Sequence, residues 1–273
     1  MGLFGSKEDP EDLMYHGISM MEKNQPKAAI SFFNKVLKQE SGNVSALLNK
    51  GLALNQMKKY TDAVTCFDKL IEINLKDAQA FNNKGIAMAE MGNIQDASEC
   101  YDKAIEADPK YAAAYFNKGV LLDKLQEHEE ALVTLEKAIS ADPRKPNVLV
   151  YKGIVLGKMK KHEEALNCFQ NICKKYPNNQ DAFFQKGVQL AELGQHKKAL
   201  DVFDDILKKF KDNVNVTYAK SRSKAALEMY PESLELLKQA ISKNPKIIRI
   251  WAKEEPIFEK LHDNDQFRKL VKL

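Results

Sequence analysis

Several features that would assign this chain to a membrane or a secreted class of protein are scarce or missing in its sequence. Hydrophobic residues make up 44% of the 273 residues, yet no apolar run approaches the roughly 18 residues that a membrane-spanning helix needs. The four cysteines are too few and too dispersed for the disulfide framework of a small secreted protein. Residues 1–6 lack the basic start and the long apolar stretch of a secretory signal. We therefore expect a cytoplasmic protein that does not span a membrane.

Motifs of catalysis and of cofactor binding are also missing. No segment combines a nucleophile with a base and an orienting acid, and no glycine-rich phosphate loop occurs. Paired acidic residues such as Glu129–Glu130 and Glu163–Glu164 fit the solvent-facing side of helices. We expect a chain that is not an enzyme and that carries no cofactor.

The sequence does contain a strict repeat. Glycine recurs every 34 residues, a small residue follows it by 12 positions, and a bulky apolar residue follows that one by four. The glycines are Gly17, Gly51, Gly85, Gly119, Gly153 and Gly187, and Ser221 occupies the next place. A period this strict predicts that one small unit is stacked many times, because a single unit cannot bury its apolar face alone.

This combination of glycine, small and aromatic residues resembles the tetratricopeptide repeat (TPR) family over about residues 10–247. The resemblance implies an all-α fold, a right-handed superhelical solenoid of antiparallel helix pairs. With the glycine as position 8, the units are 10–43, 44–77, 78–111, 112–145, 146–179, 180–213 and 214–247. The rest is expected to form a flexible N-terminus (1–9) and C-terminal capping helices (248–273), with an eighth unit that breaks off at Pro256.

The hydrophobic pattern of the third unit supports the same architecture. Phe81, Gly85 and Met88 follow one another at the spacing i, i+4 and i+7, which is one face of a helix. The pattern predicts a first helix over about residues 78–90 and a second over about 95–107. Glycine at position 8 would let the second helix approach closely.

Two rows of potential metal ligands also follow the repeat. They are His128, His162 and His196 at position 17, and Cys66, Cys100 and Cys168 at position 23. Neighbouring helices lie about 8–10 Å apart, whereas zinc–nitrogen bonds are about 2 Å long. We therefore interpret the histidines as half-buried packing residues and predict no metal site.

The resemblance implies that the first helix of each unit lines a concave binding surface. Position 6, on this surface, is occupied by Tyr15, Asn49, Asn83, Asn117, Tyr151, Gln185 and Ala219. The row of asparagines resembles the asparagine ladder of the O-linked N-acetylglucosamine transferase repeats, which holds peptide backbones. An asparagine side chain offers an acceptor and two donors, so it can bond a peptide C=O and N–H together. The alternative is that these asparagines are a common surface feature of the family.

Aromatic residues beside this row are candidate contact anchors for a partner. Phe116 and Phe184 occupy position 5, next to Tyr15 and Tyr151 at position 6, and aromatic side chains dominate binding hot spots. We predict a scaffold or adaptor that binds an extended or helical protein segment in this groove. In the empty groove, the side chains of Asn83 and Asn117 are expected to face solvent.

One known TPR function conflicts with the sequence. In this family, the clamp for the acidic C-terminus of heat-shock chaperones needs Lys at position 5 and Asn at position 9 of one unit. It also needs Asn at position 6 of the next unit and basic residues at positions 2 and 6 of the third unit. Asn49, Asn83 and Asn117 could each supply the middle asparagine, but the surrounding positions lack the cations. We predict no chaperone clamp.

Charge suggests an alternative function. Residues 1–143 hold 16 cations and 22 acids, a net −6, whereas residues 144–273 hold 26 cations and 16 acids, a net +10. The basic half could attract nucleic acid or another acidic surface. Only four of the 42 cations are arginine, which disfavours specific nucleic-acid recognition because that recognition prefers the arginine fork.

The first residues match one short modification motif. Gly2 and Ser6 satisfy the N-myristoylation pattern, but no polybasic segment accompanies them. An incidental mobile start is the favoured interpretation, so membrane contact is expected only if Gly2 is lipidated.

Overall fold

The computed structural model describes residues 8–210 and 212–272, so the myristoylation motif at Gly2 lies outside the described residues. Within that part of the chain there are sixteen α-helices, one 3-10 helix and no β-strand. No helix among these residues is both long enough and apolar enough to cross a membrane. The chain divides into two compact bodies, Met1–Arg144 and Lys145–Leu273, called here the N-terminal and the C-terminal body.

Each body is built from consecutive short helices. The N-terminal body contains α1 (Pro10–Glu22), α2 (Pro26–Gln39), α3 (Val44–Gln56), α4 (Tyr60–Ile73), α5 (Ala78–Glu90), α6 (Ile94–Ala107), α7 (Ala112–Lys124) and α8 (His128–Ala141). The C-terminal body contains α9 (Pro146–Lys158), α10 (His162–Lys175), α11 (Gln180–Glu192), α12 (His196–Lys209), α13 (Val214–Ala226), α14 (Tyr230–Lys243), α15 (Pro245–Glu254), the 3-10 helix η1 (Pro256–Leu261) and α16 (Asp265–Val271).

The helices of each body pack as antiparallel pairs. From α1 to α14, each odd-numbered helix lies against the even-numbered helix that follows it, across a loop of only three residues. The odd-numbered helices of one body also contact each other in succession. The all-α repeat array is therefore confirmed. In the third unit, α5 and α6 agree with the predicted helices to within one residue.

Polar caps at position 34 start several of the first helices. The side chains of Asn43, Asp77, Asn179 and Asn213 each accept a hydrogen bond from the backbone N–H three residues further on, at 2.9 to 3.1 Å. These bonds satisfy N–H groups that have no partner inside the helix. The cap therefore recurs with the same period as the glycine.

The glycine at position 8 makes room for the bulky residue at position 24. A Cβ atom on Gly187 would lie 2.4 Å from Cε1 of Phe203, and one on Gly153 would lie 2.6 Å from Cζ of Phe169. Both phenylalanine side chains are fully buried. The expectation of a close approach at glycine is confirmed, and the neighbour that needs the space is an aromatic ring.

The turn inside every pair has one residue in the left-handed region. This residue is always at position 15 of the unit, with φ between 56° and 83°. The seven residues are Asn24, Lys58, Gly92, Gln126, Lys160, Gly194 and Glu228. Because only two of them are glycine, five turns carry the steric cost of a side chain at positive φ.

We expect Lys160→Gly to raise the free energy of unfolding by about 0.5–1 kcal/mol, since glycine adopts positive φ without that cost. In urea denaturation the gain would appear as a higher midpoint concentration, while the dependence of the unfolding free energy on urea concentration stays unchanged. Lys161→Gly is the matched control, because Lys161 has φ −82° and gains nothing from glycine. A Lys160→Gly protein no more stable than the parent would contradict the prediction.

The seventh unit replaces the glycine contact with a pair of serines. The Ser221 hydroxyl donates to the backbone carbonyl of Ser233 at 2.8 Å, and the Ser233 hydroxyl donates to the carbonyl of Ser221 at 2.9 Å. Both side chains are fully buried, and Leu237 replaces the aromatic ring at position 24. Reciprocal hydrogen bonds therefore join α13 and α14 where the first six pairs set a bulky apolar side chain against a glycine.

The C-terminal segment departs from the period. Only Asn244 separates α14 from α15, so α15 begins at Pro245, three residues before the expected start at 248. The physical reason is local, because the Asn244 side chain accepts the N–H of Ile247 and proline suits the first turn of a helix. After Pro256 the chain forms η1 and α16, whose Phe258 and Phe267 complete a buried cluster on α13 and α14.

Ion pairs cross several of the seams between units. At such a seam the lysine at position 7 of one unit contacts the acid at position 25 of the preceding unit. The pairs are Lys84–Asp68 at 2.6 Å, Lys118–Asp102 at 2.5 Å, and Lys220–Asp204. Each lysine is about three-quarters buried, so its stem packs along the seam while its charge is neutralised.

Candidate peptide-binding surface

The position-6 residues of the N-terminal body lie on helices that touch in succession. Tyr15 is on α1, Asn49 on α3, Asn83 on α5 and Asn117 on α7, and each of these helices contacts the next odd-numbered one. Equivalent positions on touching helices form a continuous row. The structure therefore keeps the four residues on one face of this body.

A direct contact between asparagines joins two of these units. Nδ2 of Asn117 donates to Oδ1 of Asn82 at 2.8 Å. Asn82 is only 3% exposed and Asn83 only 8% exposed. The expectation that these asparagines face solvent is therefore wrong for Asn83, because α5 is packed between α3 and α7. Asn82 occupies position 5, which is apolar or aromatic in the other units. Its buried side-chain oxygen accepts the hydrogen bond from Asn117.

The first two residues of the row are more accessible. The Tyr15 side chain is 71% exposed, and its ring lies edge-on to His16 with centroids 5.8 Å apart. Asn49 is half-buried, and its Nδ2 donates to the carbonyl of Ser45 in the same helix at 2.9 Å. Ile18, one turn further along α1, is also exposed. This end of the row offers aromatic, amide and apolar contacts to a partner.

The other predicted anchors are less exposed than Tyr15. Phe116 is half-buried on α7. Phe184 is half-buried on α11, where it packs against Phe203 with ring centroids 6.2 Å apart. Phe184 therefore contributes to the core of its unit as well as to the surface. Tyr151 and Gln185, on α9 and α11 of the C-terminal body, are half-buried too.

Unit seven contains ion pairs that the sequence did not predict. Arg222 contacts Glu192 of α11 at 3.2 Å and Glu255, just before η1, at 2.7 Å. Nearby, Tyr218 packs against Trp251 with ring centroids 5.6 Å apart, and burial raises the pKa of its hydroxyl. The sequence did contain a sign of this contact, since Arg222 is the one charged residue at a position that is apolar in the other units.

The three histidines of position 17 are half-buried and have different neighbours. Nδ1 of His128 lies 3.0 Å from the buried Asp123 carboxylate, and Nδ1 of His162 lies 2.9 Å from the Gln189 amide oxygen. Burial lowers the pKa of His196, and the Arg222 guanidinium lowers it further. In the described part of the chain, no three His, Cys, Asp or Glu side chains are grouped for a metal ion.

Comparison with known protein families identifies the repeat. A tetratricopeptide repeat model matches residues 82–146 and 152–214. A second model, also of a tetratricopeptide repeat, matches residues 44–77. The matches fall in both bodies. A comparison with curated protein sequences gave no match.

Solved structures of repeat proteins resemble the whole chain or most of it. A tetratricopeptide repeat protein from Parabacteroides merdae ATCC 43184 is 16% identical, covers 98% of this chain and 100% of its own, and has a TM-score of 0.68. Pseudomonas aeruginosa pilF is 20% identical over 80% of this chain and 100% of its own, with a TM-score of 0.66. At these identities the likeness concerns the fold alone.

A third structure has a higher sequence identity. YrrB, described as a TPR protein with an unusual peptide-binding site, is 28% identical to this chain. The match covers 69% of this chain and 97% of YrrB, with a TM-score of 0.54.

Proposed function

The chain belongs to the tetratricopeptide repeat family, and from this premise we propose that it is a non-catalytic scaffold that binds a peptide segment of a partner protein. Proteins of this family serve in general as interaction scaffolds. The observation that carries the proposal is the accessible end of the row on touching first helices, formed by Tyr15 and Asn49. The peptide-binding site of YrrB is further support, because that protein shares this repeat.

The chemistry of the row favours an extended segment. Asn49 keeps a side-chain oxygen that can accept a backbone N–H of a bound peptide. Exposed Tyr15 and Ile18 supply apolar contact area beside it, and aromatic residues contribute most to binding when a partner covers them. A segment with alternating apolar side chains would use both kinds of contact. The four free thiols support a reducing compartment, so we propose that this binding takes place in the cytoplasm.

The groove is tested with peptides selected on the immobilised protein from a random display library. We expect Tyr15→Ala combined with Asn49→Ala to weaken their binding about tenfold, roughly 1.4 kcal/mol, through loss of one aromatic contact and one hydrogen bond. Isothermal titration calorimetry gives the two dissociation constants.

Asn34→Ala is the control for this experiment. Asn34 is exposed on α2, one of the second helices, and therefore lies away from the row. Its replacement should leave the dissociation constant unchanged. Selected peptides that bind all three proteins equally well would show that the row does not hold them.

Salt dependence separates this function from the electrostatic alternative. The net +10 of residues 144–273 supports attraction of nucleic acid or another acidic surface. Binding to phosphates weakens steeply with salt because counterions are released, whereas contacts made by apolar groups and amides change little. A shallow salt slope for the selected peptides, with no binding of single-stranded or duplex DNA at physiological salt, would favour the groove.

Peptides ending in the chaperone sequence Glu-Glu-Val-Asp should bind no better than a scrambled control. With Asn49 as the middle asparagine, the preceding unit offers Met14 and Ile18, where the clamp needs Lys and Asn. The following unit offers Gln79 and Asn83, where it needs cations. Fluorescence anisotropy measures both peptides. Micromolar binding that requires the terminal carboxylate, about −8 kcal/mol, would contradict this prediction.

A further inference from the structure

A cavity in the N-terminal body is unusually rich in lysine. It has a volume of about 510 Å³, lies between α2, α3 and α4 and is half open to solvent. Four of its lining residues are Lys27, Lys50, Lys59 and Lys69, and Asp62 is the one acidic residue among the described residues that line it. This positive cluster lies in the half of the chain whose net charge is −6, so the cluster is a local feature.

The cavity lies at a seam that lacks the usual ion pair. Lys50 occupies position 7 of its unit, like Lys84 and Lys118, which pair with aspartates at position 25 of the preceding unit. At the seam of Lys50, position 25 is Asn34, which carries no charge and also lines the cavity. Within the described part of the chain, Lys50 forms no ion pair. Its ammonium group therefore remains available to a ligand.

The other three lysines are available as well. Lys27, Lys59 and Lys69 are exposed, and none of them forms an ion pair with another described residue. Asp62 offsets only one of the four charges. A multivalent anion could contact several of these ammonium groups together, and bonds between charged partners are about twice as strong as neutral ones.

The floor of the cavity is apolar. Ile30, Leu37, Leu47 and Leu54 line it, beside the buried Cys66. Burial raises the pKa of the Cys66 thiol, so the thiol stays neutral and does not offset the lysines. The volume lies within the range of small-molecule sites, and polar and apolar groups contribute about equally to the lining. The cavity therefore has room for an organic group next to its charged rim.

We propose that this cavity is a binding site for a small organic phosphate. The phosphate groups of the ligand contact Lys50 and the lysines of the rim, and the organic part of the ligand lies on the leucine and isoleucine side chains. The site is separate from the peptide-binding row and does not depend on it. The missing acid at position 25 is what makes the lysine at this seam available.

Isothermal titration calorimetry at constant ionic strength tests the proposal on the full chain, with inorganic pyrophosphate and adenosine diphosphate as probes. Both should bind with a stoichiometry of one, and adenosine diphosphate should bind more tightly because it also covers the apolar floor. Equal affinities would overturn the part of the proposal that concerns the organic group. No saturable binding of either probe would overturn the whole proposal.

Two substitutions test which residues of the cavity bind the phosphate groups. Lys50→Gln should weaken pyrophosphate binding about tenfold, since one charge-assisted contact is lost. Asn34→Asp keeps every lysine but supplies a carboxylate like those opposite Lys84, Lys118 and Lys220, and it should weaken binding by a similar factor. Lys118→Gln, at the equivalent paired position, is the control and should bind like the parent. Thermal unfolding shows that each variant is folded. Unchanged binding in both Lys50→Gln and Asn34→Asp would refute the assignment.

Discussion

Phe203→Ala is expected to lower the free energy of unfolding of the C-terminal body by about 3–5 kcal/mol, the usual cost of deleting a fully buried phenylalanine ring. The ring fills the space between α11 and α12 that Gly187 leaves open. In an array each unit contacts only its neighbours, so the loss should appear first as local opening of these two helices. Hydrogen exchange and urea denaturation measure the two effects.

Substitution of Gly187 distinguishes loss of the contact between Gly187 and the Phe203 ring from a general loss of buried apolar surface. In the parent, Gly187→Ala should destabilise by about 1–3 kcal/mol, because the new Cβ overlaps the Phe203 ring. Combined with Phe203→Ala, the same substitution should be neutral or stabilising by up to about 1 kcal/mol, since alanine favours helix more than glycine does. Phe210→Ala is the control for aromatic removal, because Phe210 is 47% exposed. An unchanged sign of the Gly187→Ala effect would contradict the packing argument.

Asn117→Ala is expected to cost about 1–3 kcal/mol in stability, although Asn117 lies on the candidate binding surface. The substitution removes the donor to Oδ1 of Asn82. Asn82 is almost fully buried, so its oxygen would be left without a partner, and an unpaired buried polar group costs about this much. Chemical denaturation measures the difference. Hydrogen exchange should show it in α5 and α7.

Two further variants make this result specific. Asn49→Ala removes the equivalent asparagine of the second unit, whose Nδ2 donates to the Ser45 carbonyl of its own helix, and should change stability by less than about 0.5 kcal/mol. Replacing both Asn82 and Asn117 by leucine should recover much of the loss, because two apolar groups of similar size need no hydrogen bond. Equal effects of Asn49→Ala and Asn117→Ala would mean that the buried contact is unimportant.

The sequence predicted the helices well because their determinants recur every 34 residues. In the third unit, the expected helices 78–90 and 95–107 are observed as Ala78–Glu90 and Ile94–Ala107. Glycine at position 8, alanine at position 20 and a bulky residue at position 24 all act within one pair of helices. A local pattern of this kind can be read from one unit alone.

Features that depend on two units were harder to predict. Whether an asparagine of the row faces solvent is decided by its neighbours across the seam, and only the structure shows that Asn83 is buried. The early start of α15 depends on Asn244 and Pro245, which override the period of 34 by three residues. The contacts of Arg222 with Glu192 and Glu255 join parts of the chain 30 and 33 residues away.

The residue at position 25 decides whether a junction created by deleting a unit would keep its ion pair. Deleting residues 78–111 would bring Lys118 opposite Asp68, so every remaining seam ion pair would be conserved. Deleting residues 44–77 would instead bring the next position-7 lysine opposite Asn34, which cannot pair with it. A new junction therefore keeps an ion pair only where position 25 of the unit before it is acidic, which is not the case for Asn34 in the first unit or Gln170 in the fifth.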